Sequence, residues 1–68
     1  MKLRFNSQTA FNTAYNALSG NNFKFDNYRD ELSLKFFTSE CVRNAILDLT
    51  SKGLAEGADF NFDRYADQ

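Results

Sequence analysis

The sequence feature that most limits the possible folds is a strand, a cap, a helix and a stop that follow one another from Leu32 to Leu54. Apolar side chains alternate at the start of this stretch, which is typical of a strand with one buried face, so we predict a strand over 32–37. Thr38 or Ser39 can cap the helix that follows. The apolar positions of that helix recur with helical spacing and form one stripe: Cys41, Val42, Ala45, Ile46 and Leu49.

The end of this helix is predicted at Gly53. Glycine has no Cβ, so it adopts the left-handed conformation of a helix C′ residue without a steric penalty. Leu54 is then the next residue, where a Schellman motif places an apolar contact with Leu49.

The first half of the chain repeats this order of elements. Residues 2–5 alternate as a first strand, and Ser7 can cap a helix. Gly20 is predicted to end that helix in the way that Gly53 ends the second, and we predict a second strand over 23–26. The apolar stripe of this first helix has the same spacing as that of the second: Phe11, Ala14, Tyr15 and Leu18.

The connection between the second and third strands determines how they pair. A tight Arg29-Asp30 turn would set Lys24 opposite Lys35, which is unfavourable because like charges repel. A four-residue connection over 29–32 would instead pair Asp26 with Lys35, and this is the register that we prefer.

The predicted order is β-α-β-β-α-β in a single domain, residues 1–68, with a fourth strand over 59–63 and fraying over 65–68. Two right-handed βαβ crossovers side by side give a four-stranded antiparallel sheet in the order 4-1-3-2, with both helices on one face. This α+β arrangement resembles the ferredoxin-like fold across nearly the whole chain. That fold hosts many unrelated functions, so the resemblance implies an architecture and no chemistry.

The residue types leave little basis for catalysis. The chain has no His, which is the commonest general base and metal ligand. Its one cysteine, Cys41, excludes paired-cysteine metal and redox motifs, and we expect it to be buried as a packing residue. No glycine-rich phosphate-binding pattern occurs. We therefore predict a protein that is not an enzyme and has no cofactor and no bound metal.

The chain also lacks the signals of membrane insertion or export. No apolar run approaches the roughly 20 residues of a transmembrane helix, and the N-terminus lacks the apolar core of a signal peptide. A single cysteine is typical of a reducing compartment. We expect a cytoplasmic protein with no membrane contact, either a monomer or a homodimer.

Two surfaces are predicted to contact a partner. Acidic residues concentrate near the C-terminal end, where carboxylates can substitute for phosphates against a basic target: Glu56, Asp59, Asp63 and Asp67. The first helix is uncharged, because no charged residue occurs between Arg4 and Lys24, and Asn12 and Asn16 lie on its outer side. The alternatives stay open: the acidic residues can simply protect an edge strand, and the helix can simply be solvated.

The face of the sheet away from the helices, called the open face below, is a third candidate. RNA-recognition motifs share this topology and stack bases on aromatic side chains of the two central strands. Here the open face offers Arg4, Lys35 and Phe37, but the first strand has no exposed aromatic residue and the net charge is −1. A small RNA- or DNA-binding domain is therefore the alternative function, and we expect no tight direct binding of nucleic acid.

A protein-binding module is the function that we prefer. A small, acidic, His-free domain with this topology resembles the stand-alone inhibitors that phages and mobile elements encode against host defence complexes, including some anti-CRISPR proteins. The resemblance lies in size and fold and assigns no residue a role. It implies a larger protein or nucleoprotein partner in the host cytoplasm, which is blocked when its basic, nucleic-acid-binding surface is occupied.

Overall fold

The computed structural model describes residues 1–63. The fraying predicted for 65–68 lies outside the described residues. In chain order the elements are β1 (Lys2–Phe5), α1 (Gln8–Gly20), β2 (Asp26–Tyr28), a 3₁₀ turn (Arg29–Glu31), β3 (Ser33–Lys35), α2 (Ser39–Ser51) and β4 (Phe60–Asp63).

The four strands form one antiparallel sheet in the order β2-β3-β1-β4. Read from the other edge, this is the predicted order 4-1-3-2, so the α+β, ferredoxin-like topology is confirmed. Asp26 is paired with Lys35, which confirms the four-residue connection between β2 and β3. No helix within residues 1–63 is long and apolar enough to cross a membrane.

Both helices pack against one face of the sheet around a single apolar core. The ring of Phe5 lies 6.0 Å from that of Phe11 and 5.8 Å from that of Phe60, between centroids, so β1 contacts both α1 and β4. Such aromatic pairs contribute beyond the area that they bury. The buried members of the core come from every layer: Leu3, Phe5, Ala10, Phe11, Ala14, Leu18, Leu34, Phe36, Val42, Ala45, Leu49, Leu54 and Phe60.

The predicted stripe of α2 is confirmed at its centre and modified at its sides. Val42, Ala45 and Leu49 are buried, whereas Cys41 and Ile46 are half-buried. The prediction that Cys41 is buried is therefore wrong. Cys41 lies in the first turn of α2, at the margin of the core, where its thiol donates a hydrogen bond to the carbonyl of Lys24 at 3.6 Å.

The predicted caps begin both helices, and the predicted glycine ends the second. Ser7 Oγ accepts the N–H of Ala10 at 3.1 Å, and Thr38 Oγ1 accepts the N–H of Cys41 at 3.0 Å. Gly53 has a φ of +94°. The N–H of the next residue donates to the carbonyl of Leu49 at 3.0 Å, which completes the Schellman motif.

The first helix ends differently from the prediction. Gly20 is its last helical residue, and the left-handed position is taken by Asn22, with φ +63°. Asparagine tolerates this conformation better than most residues because its short amide can hydrogen-bond locally. The N–H of Phe23 donates to the carbonyl of Leu18 at 3.1 Å, as in the motif at the end of α2. The predicted stop at Gly20 is therefore wrong by two residues.

The second strand is displaced along the chain and the third is shorter than predicted. β2 covers Asp26–Tyr28 instead of 23–26, and β3 covers Ser33–Lys35 instead of 32–37. With Asp26 opposite Lys35, residues 23 and 24 would face 38 and 37, where the chain already turns into α2. The second strand therefore begins at Asp26, and 23–25 is an unpaired lead-in whose two phenylalanines are half-buried against the core.

Leu32 is not a strand residue, contrary to the prediction. Its φ and ψ are +54° and +44°, a left-handed conformation that is uncommon for a residue other than glycine. Its N–H donates to the carbonyl of Arg29 at 3.1 Å and closes the 3₁₀ turn, while its own carbonyl accepts the N–H of Phe5 at 2.8 Å. Through these two backbone hydrogen bonds Leu32 links the 3₁₀ turn to β1, and β3 begins at the next residue, Ser33.

Candidate functional site

The acidic residues predicted to bind a partner occupy different structural settings. Asp59 is half-buried, and its Oδ2 accepts the N–H of Ala55 at 2.8 Å, so this carboxylate holds the loop before β4. Asp63 Oδ2 lies 3.2 Å from Nε of Arg4 on the open face. The side chain of Glu56 is exposed. Of these three carboxylates, that of Glu56 is the one with no such contact among residues 1–63.

The remaining predicted acid, Asp67, lies outside the described residues. Within residues 1–63, no three Cys, Asp or Glu side chains are grouped closely enough to hold a metal ion.

The open face carries a network of ion pairs. Lys2 Nζ lies 3.2 Å from Glu31 Oε1 and 4.5 Å from the centroid of the Tyr28 ring. Arg4 contacts the same Glu31 oxygen at 3.8 Å and Asp63 at 3.2 Å. The hydrogen bond from Lys2, the charge of Lys2 and the charge of Arg4 lower the pKa of the Glu31 carboxyl. The two cations of β1 are therefore balanced by carboxylates of the protein itself.

The other predicted residues of the open face lie toward the β2 edge. Lys35 is paired across the strands with Asp26, and its Nζ is 5.9 Å from the centroid of the Phe37 ring. Phe37 is 58% exposed and lies beyond the end of β3. The central strands therefore present cations and the small side chain of Ser33 to this face, and no aromatic ring.

A groove of about 670 Å³ lies between the end of α1 and the start of α2. Phe23, Phe37 and Cys41 form its apolar lining, and Lys24 and Glu40 add one charge of each sign. The groove lies at the side of the helical layer, so Phe37 faces this region as well as the edge of the open face.

The outer face of α1 is uncharged over the length of the helix. We call it the α1 outer face, and its exposed members carry only amide or hydroxyl groups or are glycine: Gln8, Thr9, Asn12, Thr13, Asn16, Ser19 and Gly20. Asn12 and Asn16, the two residues singled out from the sequence, are both exposed and lie one turn apart. The structure therefore places both of these predicted partner-binding residues, Asn12 and Asn16, on one exposed side of α1.

A cation from another element lies at the edge of this face. Arg29, the first residue of the 3₁₀ turn, places its guanidinium carbon 5.2 Å from the Phe11 ring centroid and 5.5 Å from that of Tyr15. Its Nη1 donates to Asn12 Oδ1 at 3.3 Å, and the same oxygen accepts Gln8 Nε2 at 3.0 Å. Within the part of the chain that the structure describes, the α1 outer face is therefore bordered by one positive charge, that of Arg29.

Sequence reasoning missed Arg29 because it lies in a polar turn 17 residues from Asn12. One signal could have found it. Phe11 and Tyr15 are spaced i, i+4, and an aromatic pair at the border of a helix face attracts guanidinium groups.

Comparison with known proteins gives no relative: no family model, no curated protein and no solved structure matches this chain.

Proposed function

We propose that this domain is a non-enzymatic protein-binding module that meets its partner with the α1 outer face. The observation that carries the proposal is the absence of charge from that entire exposed surface. Solvated helices usually carry Glu and Lys, which are better helix formers than Asn or Thr. The centres of protein interfaces are depleted in charge, because burying an unpaired charge is costly.

The specific role that we propose is occlusion of a larger protein or nucleoprotein complex, such as a host defence complex, within a host cytoplasm. Small size, this topology and an uncharged contact face support such a role. A basic target surface could also recruit the exposed carboxylate of Glu56 and compete with Arg4 for Asp63. The carboxylate of Asp59 is less available, since the loop before β4 uses it.

Kinetic binding to a partner captured from host lysate tests this proposal. Asn16→Arg should raise the dissociation rate with little change in salt dependence, because it places a long cation at the centre of an uncharged contact. Asn44→Arg is the matched control, since it makes the same change on the exposed side of α2. Unchanged dissociation of Asn16→Arg would exclude the α1 outer face as the contact.

The alternative, an RNA- or DNA-binding domain, has weaker support. Phosphates would have to displace Glu31 and Asp63 from Lys2 and Arg4 on the open face. Among residues 1–63, the one aromatic ring on this face that belongs to a strand is Tyr28, which lies on an edge strand and beneath Lys2. Base stacking by this topology uses rings on the central strands instead.

Titration with single-stranded RNA at physiological salt separates the two functions. We expect no affinity beyond the roughly micromolar non-specific range. If the protein binds RNA more tightly than this, and if Lys35→Glu and Phe37→Ala abolish that binding, nucleic-acid binding on the open face replaces protein binding as the function.

A further inference from the structure

We propose that Arg29 and Asn12 form a carboxylate-binding anchor at the border of the α1 outer face. The partner would then be a protein that presents an Asp or Glu side chain at this point. This inference rests on the proposed function, because it specifies which chemical group of the partner meets that face.

The aromatic platform under Arg29 is packed against other rings of the core. Phe11 is fully buried in the core, and its ring is stacked on that of Tyr15 at 6.2 Å with an angle of 13°. Tyr15 is fixed in turn by an edge-on contact with Phe25 at 5.8 Å. A guanidinium group held over two such rings is already oriented before a ligand arrives, so it loses less conformational entropy on binding than a free side chain.

The hydrogen-bonding pattern around Asn12 leaves donors for a ligand. Its Oδ1 accepts Gln8 Nε2 at 3.0 Å and Arg29 Nη1 at 3.3 Å, so both lone pairs of that oxygen are used. These two donors fix the orientation of the amide, and its NH₂ group has no hydrogen-bond acceptor among residues 1–63. The guanidinium has five N–H groups and gives one to Asn12. The ligand must therefore be an acceptor, and a carboxylate matches the planar donor edge of arginine.

The charge of Arg29 is not neutralised within the described chain. None of the carboxylates in residues 1–63 forms an ion pair with Arg29, and α1 carries no acidic residue. Glu31, two residues further on, is directed to Lys2 on the open face. A partner carboxylate would thus find an oriented cation that has no competing anion from residues 1–63 within ion-pair distance.

A protein carboxylate fits this anchor better than a nucleic acid. Nucleic-acid binding gains its affinity from several phosphate contacts, which need a group of cations. The α1 outer face supplies none besides Arg29 at its border. One cation beside an uncharged surface is instead the pattern of a single ion pair at the border of a protein interface.

The test uses the full chain labelled with ¹⁵N and two probes, a hexaglutamate peptide and a hexathymidylate oligonucleotide. We expect hexaglutamate to shift the NMR signals of the Arg29 Nε–H and the Asn12 NH₂. Arg29→Lys should weaken that binding about tenfold, because lysine keeps the charge and loses the planar donor pair. Arg43→Lys, the same change at an exposed residue of α2, should have no effect, and thermal unfolding should show both variants folded.

Other outcomes would reject the anchor. Equal shifts at Arg29 and Arg43, or undiminished binding by Arg29→Lys, would show that charge alone attracts the peptide. Tighter binding of hexathymidylate at Arg29 would identify the ligand as a nucleic-acid phosphate.

Binding of two variants to the partner captured from host lysate distinguishes failure of this inference from failure of the proposed function. If Asn16→Arg weakens binding while Arg29→Lys does not, the α1 outer face is the interface and the anchor is rejected. If neither variant weakens partner binding, both are rejected. If both weaken it, both are supported.

Discussion

Two leucines of α2 provide the sharpest test of the fold. Leu47 and Leu49 lie two residues apart in one helix, yet Leu47 is 64% exposed and Leu49 is completely buried. Substitution by alanine changes the helix propensity equally at both positions. The difference between the two variants therefore measures burial alone.

The expected losses can be worked from these exposures. Leu49→Ala leaves a cavity in the core and should lower the free energy of unfolding by about 2–5 kcal/mol. Leu47 has only about a third of its surface shielded, so its truncation should cost about 0.5–1 kcal/mol. At 68 residues the total stability is roughly 3–10 kcal/mol, so the first change removes a large part of it and the second does not.

Urea unfolding followed by far-ultraviolet circular dichroism measures both losses. The midpoint should fall strongly for Leu49→Ala and slightly for Leu47→Ala, with the slope of the transition unchanged. Ile46→Ala, at a half-buried position, should lie between them. Equal losses at positions 47 and 49 would refute the orientation of α2 against the sheet.

Three further predictions concern single positions. Gly20→Ala should raise the free energy of unfolding by up to about 1 kcal/mol, because Gly20 is helical and a Cβ there meets no atom. Gly53→Ala should lower the free energy of unfolding, because Gly53 has a positive φ, and a higher melting temperature for Gly53→Ala would contradict this. Asp59→Ala should cost about 1 kcal/mol through loss of the acceptor for a backbone N–H, and an unchanged urea midpoint would disprove that role. Lys2 lowers the pKa of the Glu31 carboxyl in the folded state, so the contribution of ionised Glu31 to stability is complete above the unfolded-state pKa and is lost as the pH falls through the lowered value. Between about pH 7 and pH 3 the melting temperature should therefore fall less steeply for Glu31→Gln than for the unmodified protein. Parallel curves for the two proteins would contradict this role of Glu31.

The parts of the fold with strong local signals could be predicted from the sequence. Ser7, Thr38 and Gly53 mark helix ends through their own conformational preferences, and the spacing of apolar residues predicted both helices. The order of the strands followed from the handedness of the two βαβ crossovers. The second strand could not be placed correctly, because Phe23 and Phe25 alternate in an extended segment as they would in a strand. Whether such a segment pairs depends on where its partner turns away, which is not a local property.

Part of the candidate surface could likewise be predicted from the sequence, and part could not. The exposure of Asn12 and Asn16 follows from helical spacing and could be predicted. The position of Arg29 over α1 depends on the path of the 3₁₀ turn, which rests on the left-handed conformation of Leu32. Local preference disfavours that conformation for leucine, so the sequence carried no signal for it.

The pairing of β1 with both β3 and β4 has a consequence for synthesis on the ribosome. Arg4 can pair with Ser33 once the middle of the chain has emerged, but Phe5 pairs with Phe60. At about 5–20 residues per second, translation of the segment between Phe5 and Phe60 takes roughly 3–10 s. Throughout that time the side of β1 that pairs with β4 has no hydrogen-bond partner, while domains of this size usually fold within milliseconds to seconds. The sheet therefore cannot be completed before β4 is translated, and the unpaired side of β1 is where a stalled chain would be most exposed to aggregation or to a chaperone.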